Sequence, residues 1–183
     1  MKYQYYLISD FLDCEEIKEL NRTLENNVSK NNQEVLFDGN YKKTSVVYSI
    51  QHSHVWDQLD RFRNMIHYTN RNYFGLDLFE ISKYSTVNYN VYNGDDYGQY
   101  TWHSDAEFNQ CYDLKLTALL NLSTEEFLGG DLILFLSGEY KIDDFNKPGS
   151  LLIFPAWTQH KVTPVTSGVR KTLSFWAAGP NLK

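Results

Sequence analysis

Cysteine is scarce in this chain of 183 residues: only Cys14 and Cys111 are present, too few for a disulfide framework. Basic residues are outnumbered, 17 Lys and Arg against 23 Asp and Glu, which leaves a net charge of −6 and a pI near 5.3. A broad cationic footprint for phosphate backbones is missing, so nucleic acid is not expected as a partner. No stretch approaches the ~20 apolar residues of a membrane span. No lipid-anchoring motif occurs, and nothing near the N-terminus joins a basic start to a long apolar run. These absences set the expectation of a soluble, cytoplasmic, reduced protein without a membrane partner. Internal repeats and low-complexity tracts are also lacking. What is abundant is aromatic: 14 Tyr, 11 Phe and 4 Trp make up 16% of the chain, within a hydrophobic fraction of 42%. That composition suits a packed, sheet-rich globular protein, and the length points to one domain over residues 1–183.

Two helices are expected first. Residues 3–8 alternate loosely, and Asp13 with Glu16 three residues on forms a capping-box start for a helix running to about Asn26, with Ile17, Leu20 and Leu24 on one face. A second helix, about Ser53 to Phe74, puts Val55, Leu59, Phe62 and Ile66 on one stripe and stops at Gly75. Between them, Asn26 to Lys43 is polar, carries Asn31-Asn32 and Gly39, and reads as a long loop suited to cover a substrate entrance, with an ordered β-hairpin or a plain surface connection as the alternative. From Leu76 the pattern turns to short β-type runs: 78–92, 99–104, 114–122, 131–136, 150–154, 159–165 and 169–178. Gly94-Asp95-Asp96, Gly129-Gly130-Asp131, Ser137-Gly138, Pro148-Gly149 and Ser167-Gly168 supply the turns. The expected fold class is mainly β with N-terminal helices (α+β). A helical support region of about 1–75 would back a catalytic jelly-roll, or barrel of two facing sheets, of about 76–183.

Chemistry concentrates in His103-Ser104-Asp105, followed 55 residues after Asp105 by His160 and then by Arg170. In a strand, residues i and i+2 share a face, so His103 and Asp105 can approach one ion while Ser104 points away. His160 would come from a distant strand after the apolar run Leu151 to Phe154. Two imidazoles and a carboxylate form a facial iron(II) set with coordination positions left open. Such an iron can bind a keto acid and dioxygen together, and Arg170 is placed to hold the acid's far carboxylate. The same ligands also suit zinc with an open position. The spacing is equally compatible with a surface His beside a surface Asp and an unrelated buried His.

The stretch Tyr92 to Trp176 resembles the catalytic domain of the 2-oxoglutarate and iron(II)-dependent dioxygenases, in particular the prolyl 4-hydroxylase-like group and its PKHD-type branch. The matching blocks are Tyr92 to Asp95, Tyr100 to Asp105, Asp113 to Thr117, Gly129 to Leu132, Pro148 to Ser150, Pro155 to His160, and Pro164 to Arg170, with Trp176 beyond. This likeness implies a double-stranded β-helix (jelly-roll, cupin-like) core flanked by two helices. It implies iron(II) held by His103, Asp105 and His160, with 2-oxoglutarate as cosubstrate and ascorbate as reductant. Arg170 would hold the cosubstrate's C5 carboxylate, its planar fork suiting bidentate binding. Tyr92 and Thr172 would line the cosubstrate pocket, although both residue types are also ordinary in strands. Tyr100 and Trp176 match positions that face the substrate or flank the metal, though an aromatic in a strand is equally a core residue. Trp102 and Trp176 would wall off the oxidant.

The expected reaction is hydroxylation of an unactivated C–H bond with release of succinate and carbon dioxide. The expected substrate is a peptidyl proline, with a free amino acid or small metabolite as the alternative. A cupin-like protein that holds metal without turnover is the rival from another class. Two departures from the family pattern bear on the substrate. Cys111 stands where PKHD-type proteins carry arginine, and Lys115 is the nearest cation to the place of a substrate-contacting arginine near Leu114. His52, His54 and His67 lie outside the motif and read as solvated or structural.

Overall fold

A computed structural model of the chain describes residues 3–28, 33–34, 37–38, 41–42, 44–106 and 111–181. The capping signal at Asp13 is realised. Its carboxylate accepts from the backbone N–H groups of Glu15 and Glu16 at 2.9 Å, and the Asp13 N–H in turn donates to the Glu16 carboxylate. Helix α1 therefore begins at Cys14 and runs Cys14–Asn26, its buried Ile17, Leu20 and Leu24 facing the core.

The second expected helix keeps its stripe but loses its continuity. A 3-10 turn over His52–Val55 precedes α2, Asp60–Thr69, and a π turn over Asn70–Phe74 follows. Val55, Leu59, Phe62 and Ile66 are all at most 1% exposed, so the apolar period is satisfied across the break. Local side chains compete with the helix ladder at both interruptions. Arg63 donates to the Trp56 carbonyl and to Asp60, while Asn70 binds both the N–H and the carbonyl of Leu76. Gly75, at φ 67°, closes the segment in the left-handed region.

The strands are β1 (Tyr6–Ile8), β2 (Gln33–Glu34), β3 (Phe37–Asp38), β4 (Tyr41–Lys42), β5 (Val46–Gln51), β6 (Thr86–Asn93), β7 (Tyr100–His103) and β8 (Asp113–Asn121). They continue as β9 (Leu128–Gly129), β10 (Leu132–Phe135), β11 (Glu139–Lys141), β12 (Leu151–Pro155), β13 (His160–Val162), β14 (Val165–Ser167) and β15 (Val169–Gly179). A seven-stranded sheet, β1-β12-β8-β15-β6-β5-β2, faces a four-stranded one, β11-β10-β13-β7. All the pairings are antiparallel. This is the jelly-roll of two facing sheets, and the first 75 residues add β1, β2 and β5 to the larger sheet as well as the helices.

Three readings change. The run expected as strand from residue 78 pairs only from Thr86. Before that, Leu76, Leu78 and Ile81 pack on the core without joining a ladder. β5 was not anticipated, yet it pairs with β6 along its whole length. Within the stretch 26–43, Asn26 ends α1 and Asn27 caps it, and the short strands β2, β3 and β4 occur, the last two as the antiparallel pair of a hairpin; residues 29–32, 35–36, 39–40 and 43 of the expected cover lie outside the described residues.

The large sheet separates two apolar clusters. One, between this sheet and the helices, contains Leu24, Phe62, Ile66, Leu116, Leu120 and Phe175. The other, between the sheets, contains Leu119, Leu132, Leu134, Phe145, Phe154 and Val162. The second cluster gives way at one end to polar residues, and the chemistry lies there.

Candidate active site

Strands β7 and β13 pair antiparallel with His103 directly opposite His160, so two residues 57 positions apart become neighbours. Their rings lie 4.1 Å apart between centroids. Each imidazole is oriented by a main-chain carbonyl two residues earlier, with Nδ1 at 2.8 Å from the Thr101 carbonyl oxygen for His103 and 3.0 Å from that of Thr158, in the turn before β13, for His160. An Nδ1–H that donates to a carbonyl leaves Nε2 as a lone-pair ligand. Both Nε2 atoms face Asp105, at 3.7 Å from His103 to Oδ1 and 3.5 Å from His160 to Oδ2.

Asp105 follows β7, and its N–H donates to the Ala156 carbonyl at 2.9 Å. Its carboxylate accepts a bond from the Thr117 hydroxyl at 2.7 Å. One ligand atom from each of the three residues falls within 4.8 Å of the others. Among the described residues this is the one group of three or more His, Cys, Asp or Glu side chains so arranged. His52, His54 and His67 form no such cluster, and His52 is fully buried.

Arg170 enters the same cavity from the large sheet, on β15 opposite Tyr92 of β6. It is 1% exposed, and among the described residues its Nε has no hydrogen-bond partner. The guanidinium carbon lies 5.0 Å from the Tyr92 ring centre and 5.8 Å from that of Phe145. Burial pushes the Arg170 pKa down, partly opposed by Tyr92 and Asp131. Burial likewise raises that of Tyr92, with Arg170 opposing. A buried cation with an idle donor is costly unless an anion completes it. Gly130 makes room for this side chain: at φ 64°, a Cβ there would stand 2.8 Å from Arg170 Cδ.

The remaining expected residues divide. Thr172 and Trp176 line the cavity beside Arg170, and Tyr100 lies flat on His103 with centroids 3.4 Å apart. The Trp176 Nε1–H is buried without a hydrogen-bond partner among the described residues. Trp102 does not join the wall. It projects from the other face of β7, edge-on to Phe135 at 6.2 Å and 4.4 Å from the Lys161 ammonium, because in a strand the neighbour of an inward His must point outward. Lys115 is also unavailable to a substrate, being 2% exposed and bound to Asp113 at 3.0 Å.

Three participants escaped the sequence reading. Ser174 and Asn90 line the cavity, joined at 2.9 Å. The period of two from Arg170 and Tyr92 was a signal that pointed to them. Thr117, which ends the matching block Asp113 to Thr117, contacts Asp105 from another sheet, and only the tertiary structure gives it that role.

Residues 87–178, half of the chain, match the model of the 2OG-Fe(II) oxygenase superfamily. The chain belongs to this superfamily. Among curated proteins the oxygenase is similar to PKHD-type hydroxylases. One from Nitrobacter winogradskyi is 43% identical over 63 residues, 33% of this chain and 27% of the relative. Another from Synechococcus sp. is 35% identical over 85 residues, 45% of this chain and 36% of the relative. The matched stretch thus spans less than half the length of these relatives. Among solved structures, a Pseudomonas putida prolyl-4-hydroxylase superposes with a TM-score of 0.71 at 18% identity, covering 98% of this chain and 94% of its own. A viral collagen prolyl hydroxylase from Paramecium bursaria Chlorella virus-1, solved with 2OG, gives 0.70 at 18% identity, with 97% of both chains covered. These likenesses establish the jelly-roll fold of the oxygenase. The donor set fits the superfamily's iron(II), hard carboxylate oxygen with imidazole nitrogen, and the idle Arg170 donor fits a dicarboxylate such as 2-oxoglutarate. No helix among the described residues is long and apolar enough to cross a membrane.

Proposed function

We propose that this chain is an iron(II)- and 2-oxoglutarate-dependent hydroxylase in which His103, Asp105 and His160 hold the metal and Arg170 the far carboxylate of the cosubstrate. The observation that carries the reading is the buried Arg170, with its idle Nε, on the same cavity as the two histidines and the aspartate. When bound, the metal and keto acid would together activate dioxygen, the oxidant, so that one oxygen atom enters the unactivated C–H bond as hydroxyl and the other enters succinate as the keto acid loses carbon dioxide, with ascorbate keeping the iron ferrous.

The protein's share is holding and orienting. The Thr101 and Thr158 carbonyls keep each imidazole Nε2 free, and Tyr92 and Thr172 flank Arg170 where they can share the carboxylate's remaining lone pairs. Leu119, Leu132 and Val162 supply a dry wall. Tyr100 and Trp176 form the side that meets the substrate. Residues 1–183 act as one unit, the helices backing the large sheet.

For the substrate we favour a peptidyl proline. The support is the PKHD-type hydroxylases among the relatives and the prolyl hydroxylases among the structural neighbours. One of these neighbours, from Trichoplax adhaerens, was solved with a hypoxia inducible factor peptide. A free amino acid or small metabolite is the second reading, favoured by the burial of Lys115 against Asp113, which removes a cation that would greet a peptide. The test is oxygen uptake and succinate release with anaerobically loaded iron(II), followed by mass spectrometry for a +16 product across peptide and amino-acid libraries. No 2-oxoglutarate-driven oxygen uptake would favour a binding protein, and activity with zinc without oxygen would favour a hydrolase.

A further inference from the structure

Thr117 sits in the middle of β8 with no exposed surface. Its cross-strand partners are Phe154 on β12 and Trp176 on β15, so its hydroxyl stands in a row of aromatic side chains. A hydroxyl buried there is costly unless bonded, and the acceptor it has is the Asp105 carboxylate, through Oδ2 at 2.7 Å.

The three candidate ligands are held in different ways. Both histidines sit on strands and are oriented by carbonyls two residues away in their own chain. Asp105 lies beyond the end of β7, which closes at His103. Its main chain is tied to Ala156, and its side chain is tied across the cavity to the opposite sheet. A carboxylate on a strand end swings about χ1 and χ2 unless something holds it, and here the holder is a hydroxyl donating to an ionised group, the stronger kind of bond.

We infer that Thr117 is a positioning residue for the metal. By engaging Oδ2 it fixes the Asp105 rotamer and would favour ligation through Oδ1 alone. The carboxylate would then supply a single ligand atom, leaving room for a chelating cosubstrate. This inference rests on the reading that His103, Asp105 and His160 hold the metal.

Thr117→Val keeps the shape and removes the donor, while Thr117→Ser keeps the donor. Apo proteins would be titrated with cobalt(II), reading both the affinity and the intensity of the visible d–d bands, which rises as coordination number falls. Thermal melts of the apo forms would monitor the fold. Loss of an orienting partner lowers metal affinity by about 10- to 100-fold. We expect that loss in Thr117→Val, with bands altered by a freed carboxylate, and recovery in Thr117→Ser. Should the valine variant not fold, Thr117→Ala against Thr117→Ser carries the same contrast. If Asp105→Ala loses cobalt while Thr117→Val matches wild type in affinity and spectrum, the inference is overturned and the metal reading stands. If Asp105→Ala binds as wild type does, the metal reading fails and takes the inference with it.

Discussion

The two faces of β15 are equally buried and chemically opposite. Towards the helices it presents Leu173, Phe175 and Ala177, at 0, 3 and 2% exposure. Towards the cavity it presents Arg170, Thr172 and Ser174, at 1, 2 and 7%. Burial alone does not separate these faces; polarity does. The helix face removes apolar surface from water and stabilises the fold. The cavity face keeps polar groups out of water, some of them unpartnered, and so works against stability unless a ligand completes it. One strand thus carries the fold on one side and the candidate site on the other, and the two should respond differently to the same kind of substitution.

The largest effect expected is on the cavity side. His160→Ala should abolish 2-oxoglutarate-dependent succinate release, because two remaining ligands do not hold a labile first-row metal against buffer. The apo melting temperature should change little. Undiminished succinate release would remove the chemistry from this face.

Arg170→Met comes next. It should raise the 2-oxoglutarate requirement at least ~10-fold, the equivalent of a charge-assisted bond of about 1.5–3 kcal/mol. It should also leave the apo protein as stable as before or more so, since a buried charge without a paired carboxylate gives way to an apolar chain of similar length. Isothermal titration for the cosubstrate and denaturant melts of the apo form measure both. A variant that is destabilised with cosubstrate affinity intact would make Arg170 structural.

On the helix face the pattern should invert. Leu173→Ala, flanked directly by the cavity residues Thr172 and Ser174, should cost roughly 2–5 kcal/mol in urea unfolding through lost contact and a residual cavity. Its cosubstrate affinity at a temperature where it remains folded should equal that of wild type. A selective loss of affinity would show the two faces to be coupled.

The smallest effect concerns His52, which packs on Phe175 of the same face at 5.4 Å between ring centres. Burial first, and the nearby Arg63 second, depress its pKa from 6.5 to about 4. The folded protein therefore binds this proton less readily than the unfolded chain. The associated stability is complete above pH 6.5 and is lost as pH falls towards 4, with a slope on the order of 1 kcal/mol per pH unit. His52→Phe should flatten urea-unfolding free energy across that window. An unchanged slope would assign the acid sensitivity to other groups.

Local and periodic information carried much of this molecule. The Asp13 capping box, the buried stripe of Val55, Leu59, Phe62 and Ile66, and the later strands were readable because each is set by neighbours within a few residues. Where local side chains outcompete the ladder, as Arg63 and Asn70 do, the stripe was legible but the helix breaks were not. β5 was missed because pairing with β6 decides it, and Trp102 was misplaced because its neighbour His103, turning inward, forces it out.

The sequence by itself determined the composition of the site: a His-x-Asp at a strand end, a distant His, and an arginine ten residues later. Spacing along the chain does not specify distance in space, so tertiary structure alone decided that β7 and β13 pair with His103 opposite His160 and that Arg170 is buried without a carboxylate partner among the described residues. It alone brought Thr117, from a strand of the facing sheet, within 2.7 Å of Asp105. The physical reason is that ligand identity is local covalent chemistry, while ligand geometry depends on the register of non-local strands, which only the closure of both sheets over their apolar cluster selects.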